Sequence, residues 1–360
     1  MNIYHIISNK VWGGGEQYVF DLCQRLIRDG HHVELFCRPF PNVVLKLHAL
    51  GVTIHPVALK GMVSVYRIAH VFGKGGGGIL HVHNFKDAFP ACYAASMVGG
   101  GRVKVIVTRH LVRKGKTSLP YRWLYKRIDK VIFVSELAKQ TFLSTHPAIA
   151  EEKLEVVHNS IASTTPSEVE SIRQSLSISN DAVLAMYHGR LAREKGLDVL
   201  LEAMHEADVP NLHLVLIGRG EDSYVNTLQQ LLTKHSLESK VHFLGFKDEV
   251  ISYISQADFG VLPSIAPESF SLASMEYMSQ GKAVVTTNNG GQVEFVEDGR
   301  NGLLVPPSDV QALAHALKVM TVKESYRNAL GKQAKEDFIS RFSYDKFYQK
   351  ILSIYQDRKD

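Results

Sequence analysis

Short runs of aliphatic and β-branched residues alternate along the chain with longer stretches whose apolar positions recur at helical spacing, the pattern of a doubly wound α/β protein. Asn2 to Ile7 reads as a strand, Trp12 to Gly15 as a glycine loop, and Glu16 to Asp29 as a helix. Val19, Leu22, Cys23, Leu26 and Ile27 mark that helix's buried face, and Gly30 its end. Further strands are predicted at Val33 to Cys37, Ile79 to His83, Val103 to Thr108, Val131 to Ser135 and Leu154 to His158. Gly75 to Gly78 reads as an exposed loop, and the Ser/Thr-rich stretch Ala162 to Ser167 as a linker. The alternation then restarts, with strands expected at Val183 to His188, Leu212 to Ile217, Val241 to Leu244, Phe259 to Leu262 and Val284 to Thr287. An amphipathic helix running from Phe342 to Tyr355 closes the chain, and no period of about 20 to 50 residues marks a solenoid.

A length of 360 residues with 45% hydrophobic content favours two domains, each with its own core. The three cysteines, Cys23, Cys37 and Cys92, have neither even pairing nor metal-ligand spacing, so buried thiols are expected and no metal site. Without a leader pattern or an apolar run near the roughly 20 residues that span a bilayer, a cytoplasmic protein is expected. The net charge of +5 divides unevenly: residues 1–165 carry 21 Lys+Arg against 10 Asp+Glu, and the remainder 20 against 26. Ten of the basic residues lie between Arg102 and Lys130, among them Arg113, Lys114, Arg122, Lys126 and Arg127, with Tyr121, Trp123, Leu124 and Tyr125 interleaved. Two readings fit this stretch, a membrane-surface patch of cations and aromatics against anionic lipid, and a solvated basic helix whose aromatics belong to the core. No nucleic-acid motif accompanies the charge.

The densest candidate chemistry lies between Pro267 and Glu276. Pro267 cannot sit inside a helix, Ser269 and Ser271 are good N-cap residues, and Leu272, Met275, Glu276 and Met278 run at helical spacing up to Gly281. Glu268 is therefore expected just before a helix and Glu276 within it. A helix start supplies unpaired N–H groups for a phosphate, and flanking carboxylates accept hydrogen bonds from sugar hydroxyls. Downstream come Gly281-Lys-Ala-Val-Val-Thr-Thr, Asn288-Asn-Gly-Gly-Gln-Val-Glu294 and Asp298-Gly-Arg-Asn-Gly302.

With that order and spacing, the chain resembles the retaining glycosyltransferases of family GT4. The resemblance implies the GT-B fold: two Rossmann-like domains, at 1–165 and 166–341, facing a deep interdomain cleft, with a C-terminal helix (342–360) crossing back onto the first. By the same resemblance, Arg190 and Lys195, in Gly189-Arg-Leu and Glu194-Lys-Gly, bind the donor diphosphate. Glu276 holds the ribose, Glu268 a hydroxyl of the transferred sugar, and His110 contacts that sugar near the reacting carbon. Gly14, Gly15, Gly218, Phe246, Ser269, Phe270, Ser271 and Leu272 complete the implied donor site, with Glu16, His83 and Asn84 on the acceptor side. Gly218 belongs to a Gly-x-Gly that simple turn geometry or close backbone approach explains equally, and a first βα turn calls for glycine in any case. Two departures stand out: serine replaces glycine at Ser269 and Ser271, and at Ser160 in Asn159-Ser-Ile.

The resemblance implies transfer of a hexose, most commonly from a UDP-sugar, to a lipid-linked or polysaccharide acceptor, at the cytoplasmic membrane face and without a metal or cofactor. The alternatives are another GT-B nucleotide-sugar enzyme such as an epimerase, a non-catalytic partner of a transferase complex, and an NAD-dependent dehydrogenase. For the last, Gly13-Gly-Gly-Glu16 lacks the Gly-x-Gly-x-x-Gly spacing.

Overall fold

The computed structural model describes residues 1–10, 12–98, 103–162 and 165–357. Arg102 of the basic stretch, Ser163 and Thr164 of the linker, and 358–360 of the C-terminal segment lie outside the described residues. The chain forms two compact units, Met1–Asn159 with Asp345–Asp360, and Ser160–Tyr344.

The first unit is built on β1 (Asn2–Ile7), β2 (His32–Cys37), β3 (Thr53–Pro56), β4 (Gly78–Val82), β5 (Val103–Arg109), β6 (Lys130–Phe133) and β7 (Leu154–Val156). They make one parallel sheet in the order β3-β2-β1-β4-β5-β6-β7. The second unit holds β8 (Val183–His188), β9 (Leu212–Ile217), β10 (Val241–Gly245), β11 (Phe259–Leu262), β12 (Val284–Thr287) and β13 (Gly302–Val305). Its parallel order is β10-β9-β8-β11-β12-β13. Both sheets are doubly wound, and in each the order reverses once, between β1 and β4 and between β8 and β11. Ligands of such sheets bind beyond the carboxyl ends of the strands at that reversal.

The central strands are covered on both faces, so β8 and β11 are buried at every position. The Gly75–Gly78 segment, expected as an exposed loop, is one only in part: Gly75 and Gly76 form a turn with Gly76 exposed, whereas Gly77 is buried and Gly78 opens β4. A Cβ on Gly75 would come within 1.9 Å of the Tyr4 hydroxyl, and one on Gly78 within 2.3 Å of the Asn2 carbonyl.

The chain passes between units earlier than the linker composition suggests, after Asn159, and returns after Tyr344 rather than at Phe342. Within the second unit Ser160 Oγ donates to the Phe342 carbonyl at 2.6 Å, and the Phe342 ring packs edge-on against Phe295, which ties both ends there. The helix Tyr344–Gln356 then packs within the first unit. Phe347 meets Tyr18, Tyr355 bonds His81 at 2.6 Å, and Lys104 Nζ donates to the Ile354 and Asp357 carbonyls.

Candidate functional site

In the second unit the carboxyl ends of β8 and β11 bring together residues about 75 positions apart. After β8 the chain makes a short 3₁₀ turn, Arg193–Lys195, and reverses at Gly196, where φ is +67 and a Cβ would fall 2.2 Å from the Pro263 carbonyl. Ile265 and Ala266 donate their N–H groups to the Glu194 carbonyl, so the loop after β11 is stitched to that turn. Lys195 Nζ consequently reaches Glu268 Oε1 at 2.5 Å, and the same oxygen accepts from Ser264 Oγ at 2.6 Å. The carboxylate is held by one cation and one hydroxyl, with no partner for Oε2 among the described residues. Arg190 pairs with Glu194, and its guanidinium is largely exposed.

The Gly290-Gly291 turn has a packing role here. Gly291 donates its N–H to the Glu268 carbonyl at 2.8 Å, and a Cβ on Gly290 would lie 2.6 and 2.7 Å from the Glu268 backbone N and O. Gln292 anchors the turn from below, donating Nε2–H to the Thr287 carbonyl at 2.6 Å.

The helix Leu272–Ser279 starts as the sequence predicts, although its N-terminus is not capped as expected. Ser271 occupies the N-cap position in the left-handed region (φ 62, ψ 77), makes no capping bond, and places its hydroxyl 2.9 Å from that of Ser274. The first-turn N–H groups are thereby left without a side-chain cap, at the positive end of the helix dipole. Phe270 just before is buried against Phe295, so its ring is core and its backbone lines the loop. Ser269 and Leu272 are half-buried beside it. One turn on, Glu276 Oε2 meets His188 Nε2, a partner that sequence reasoning missed because the two are 88 positions apart.

At the Gly-x-Gly after β9 turn geometry and close backbone approach both require glycine: Gly218 has φ +150, and a Cβ there would stand 1.8 Å from the Gly189 carbonyl. Phe246, after β10, is exposed, with the Arg219 guanidinium 5.1 Å from its ring centroid.

In the first unit the glycine loop leads into the helix Gly14–Arg28. Contrary to expectation, the turn does not demand glycine at Gly13 or Gly15. Gly13 is extended (φ −154), and Cβ atoms added to Gly13 and Gly15 would meet nothing closer than 3.6 and 3.9 Å. Glu16 is buried and acts as a cap, accepting from the Gly13 N–H at 3.1 Å and from Asn9. Burial raises its carboxyl above the usual range.

His83 and His110, from the ends of β4 and β5, join a histidine cluster with His5 and His81. His5 Nδ1 lies 3.0 Å from His83 Nε2, and His83 Nδ1 lies 3.3 Å from His110 Nε2. His81 is held on one side by Thr108 (2.7 Å) and on the other by Tyr355. Burial depresses all four, His110 to about 4 and His5 to about 3, so the rings are neutral near pH 7. Asn84 is half-buried beside His83 and its Oδ1 accepts from the Lys86 N–H.

The basic stretch corrects one part of its sequence reading. Its helix, Leu119–Arg127, turns Leu124 and Tyr125 fully into the core, and Trp123 stacks on Tyr93 at 4.2 Å. The aromatics are thus structural, while Arg113, Lys114, Arg122, Lys126 and Arg127 are exposed together with Leu111 and Leu119. No helix among the described residues is long and apolar enough to cross a membrane.

Comparison with known proteins gives the same class. Residues 168–337 match the family described as glycosyl transferases group 1, and residues 12–164 match glycosyltransferase family 4. An uncharacterized glycosyltransferase of Methanocaldococcus jannaschii is 27% identical over 376 residues, covering 96% of this chain and 95% of its own. The lipopolysaccharide core biosynthesis glycosyltransferase LpsE of Rhizobium meliloti is 30% identical over about half of each chain, 51% and 52%. Among solved structures, Anabaena HepE in complex with UDP superposes with a TM-score of 0.86 at 21% identity, covering 99% of this chain and 100% of that one. The chain belongs to the family-4, group-1 glycosyltransferases, and its two parallel sheets are those of the GT-B fold.

Proposed function

We propose that this glycosyltransferase moves a hexose from a nucleoside diphosphate sugar, a UDP-sugar first among them, to a lipid-linked or polysaccharide acceptor in cell-surface glycan assembly, with retention at the anomeric carbon. One observation carries the donor reading: beyond the strand reversal of the second sheet Lys195 meets Glu268 beside an uncapped helix start that bears Glu276, with Arg190 in the turn that follows β8. That set pairs cations and free N–H groups, which suit a diphosphate, with carboxylate oxygens, which suit hydroxyls. The ligand in the HepE structure and the pathway in the LpsE name support UDP and surface polysaccharide respectively.

In this mechanism the bond between the anomeric carbon and the diphosphate oxygen breaks, and its electron pair leaves with the diphosphate. Arg190, Lys195 and the first-turn N–H groups stabilise the negative charge that grows on the leaving group, taking the place of a metal ion. Lys195 also anchors Glu268, whose remaining oxygen holds a sugar hydroxyl. The acceptor hydroxyl attacks from the face the diphosphate leaves, and its proton passes to a diphosphate oxygen, so no side-chain base is needed. Phe246 offers an exposed ring for the nucleobase, and in the first unit His110, neutral, offers a ring nitrogen to a sugar hydroxyl. Gly13 and Gly15, where a side chain would meet no clash, fit the close approach of a ligand to backbone.

A thermal-shift panel of UDP, GDP, ADP and NAD tests the donor site. A nucleotide at 100 times its Kd adds about 2.7 kcal/mol of stability. One nucleoside diphosphate should raise Tm in the wild type and lose most of that effect in Glu276→Ala. An equal shift in both proteins would remove Glu276 from the site.

A further inference from the structure

His188 ends β8 at the strand reversal, buried, with its ring against two consecutive residues of the helix Leu272–Ser279. Nδ1 lies 3.1 Å from the Tyr277 hydroxyl and Nε2 meets Glu276 Oε2. The Tyr277 hydroxyl donates to the Met186 carbonyl at 2.8 Å, and burial, reinforced by the neighbouring Glu276 carboxylate, raises its pKa well above the ordinary value, so it keeps its proton. That single proton is committed to Met186. Toward His188 the hydroxyl can only accept, so Nδ1 carries a hydrogen. With Nδ1 protonated, Nε2 of a neutral ring would present a lone pair to an ionised carboxylate oxygen, which is repulsive. The contact therefore needs one proton between Nε2 and Oε2, whichever of the two atoms holds it.

We propose that His188 is a positioning residue for the nucleotide: it fixes Oε2 of Glu276, leaves Oε1 as the acceptor for a ribose hydroxyl, and couples nucleotide binding to that one shared proton. The inference rests on Glu276 as the ribose contact. Glu276 and Tyr277 are the titratable groups that meet the ring from the helix. From β9 its register partner is Ile217, and β11 sets Phe259 and Gly260 beside Ala185 and Met186. Arg190 and Lys195, in the turn that follows β8, are paired with Glu194 and Glu268. Nothing in Gly189-Arg190-Leu191 signals this role, because it depends on the residue before the motif.

Calorimetric titration from pH 6 to 9 tests it, with UDP, GDP and ADP tried in turn and the tightest carried forward. Wild-type affinity should fall at least tenfold from the acid to the alkaline limb as the shared proton is lost. In His188→Gln the amide donates to Glu276 without titrating, so only the slope from the diphosphate's own ionisation should remain. His188→Leu should bind at least tenfold more weakly than wild type at pH 6. A His188→Gln profile superimposable on wild type would overturn the proposal. Should the Gln variant fail to fold, wild-type titrations in two buffers of different ionisation enthalpy replace it: net proton uptake on the alkaline side supports the coupling, and none overturns it. Glu276→Ala separates the two claims, since unchanged affinity there, or no nucleotide binding by the wild type, would sink the donor-site reading itself.

Discussion

Ser271 shows how a single residue carries both legibility and its limit. The resembled family places glycine here, and the backbone has the left-handed φ of 62 that glycine adopts freely, so the serine costs on the order of 1 kcal/mol of strain. Serine chemistry suggests an N-cap, yet the left-handed backbone directs the hydroxyl to Ser274. Ser271→Gly should raise stability by about 0.5–1 kcal/mol in urea unfolding, and a fall in stability would show that the Ser274 contact outweighs the strain. The roles of the two cations were likewise only half legible. Lys195 and Arg190 stand in recognisable motifs, but the partners Glu268 and Glu194 emerge from loop closure, one of them across 73 positions.

At the scale of elements, the buried central strands were readable because both faces are covered, which leaves continuous apolar runs such as Val183–His188. The edges were not. Thr53–Pro56 is half-exposed with a polar, proline-ended sequence, and Gly302–Val305 follows a turn motif that drew attention away from its strand character. The helix Leu119–Arg127 marks the other limit: composition cannot say which side of a helix its aromatics take, and packing buries Tyr125 and half-buries Tyr121 and Trp123 against the core while the cations stay outside. The membrane-surface reading of this stretch therefore rests on the cations with Leu111 and Leu119. The Arg122/Lys126/Arg127→Ala triple variant should lose sedimentation with anionic vesicles at low salt, where such charges act most strongly. Unchanged co-sedimentation would remove the membrane contact and leave the transferase reading standing.

For the whole molecule, the neutral histidine cluster sets an acid limit on stability. His5, His81, His83 and His110 titrate far below the ordinary value of about 6.5 when folded, so below that pH the unfolded chain binds more protons than the folded one. Their contribution is complete above about pH 6.5 and is lost as pH falls toward the folded values, at up to about 1.4 kcal/mol per pH unit for each independent group. The urea midpoint should drop between pH 7 and pH 5, less steeply in His5→Phe; equal midpoints at the two pH values would contradict burial as the cause.

The central claim is that the site formed by Lys195, Glu268 and Glu276 transfers a sugar. Its most direct test is a transfer assay in which radiolabelled nucleotide-sugars are incubated with the protein and a lipid-linked glycan extract, and label in the organic phase is counted. The account predicts acceptor-dependent label from one donor, reduced at least a hundredfold in Glu268→Ala while the variant remains folded. Transfer undiminished in Glu268→Ala, or sugar released at the same rate with and without acceptor, would contradict it.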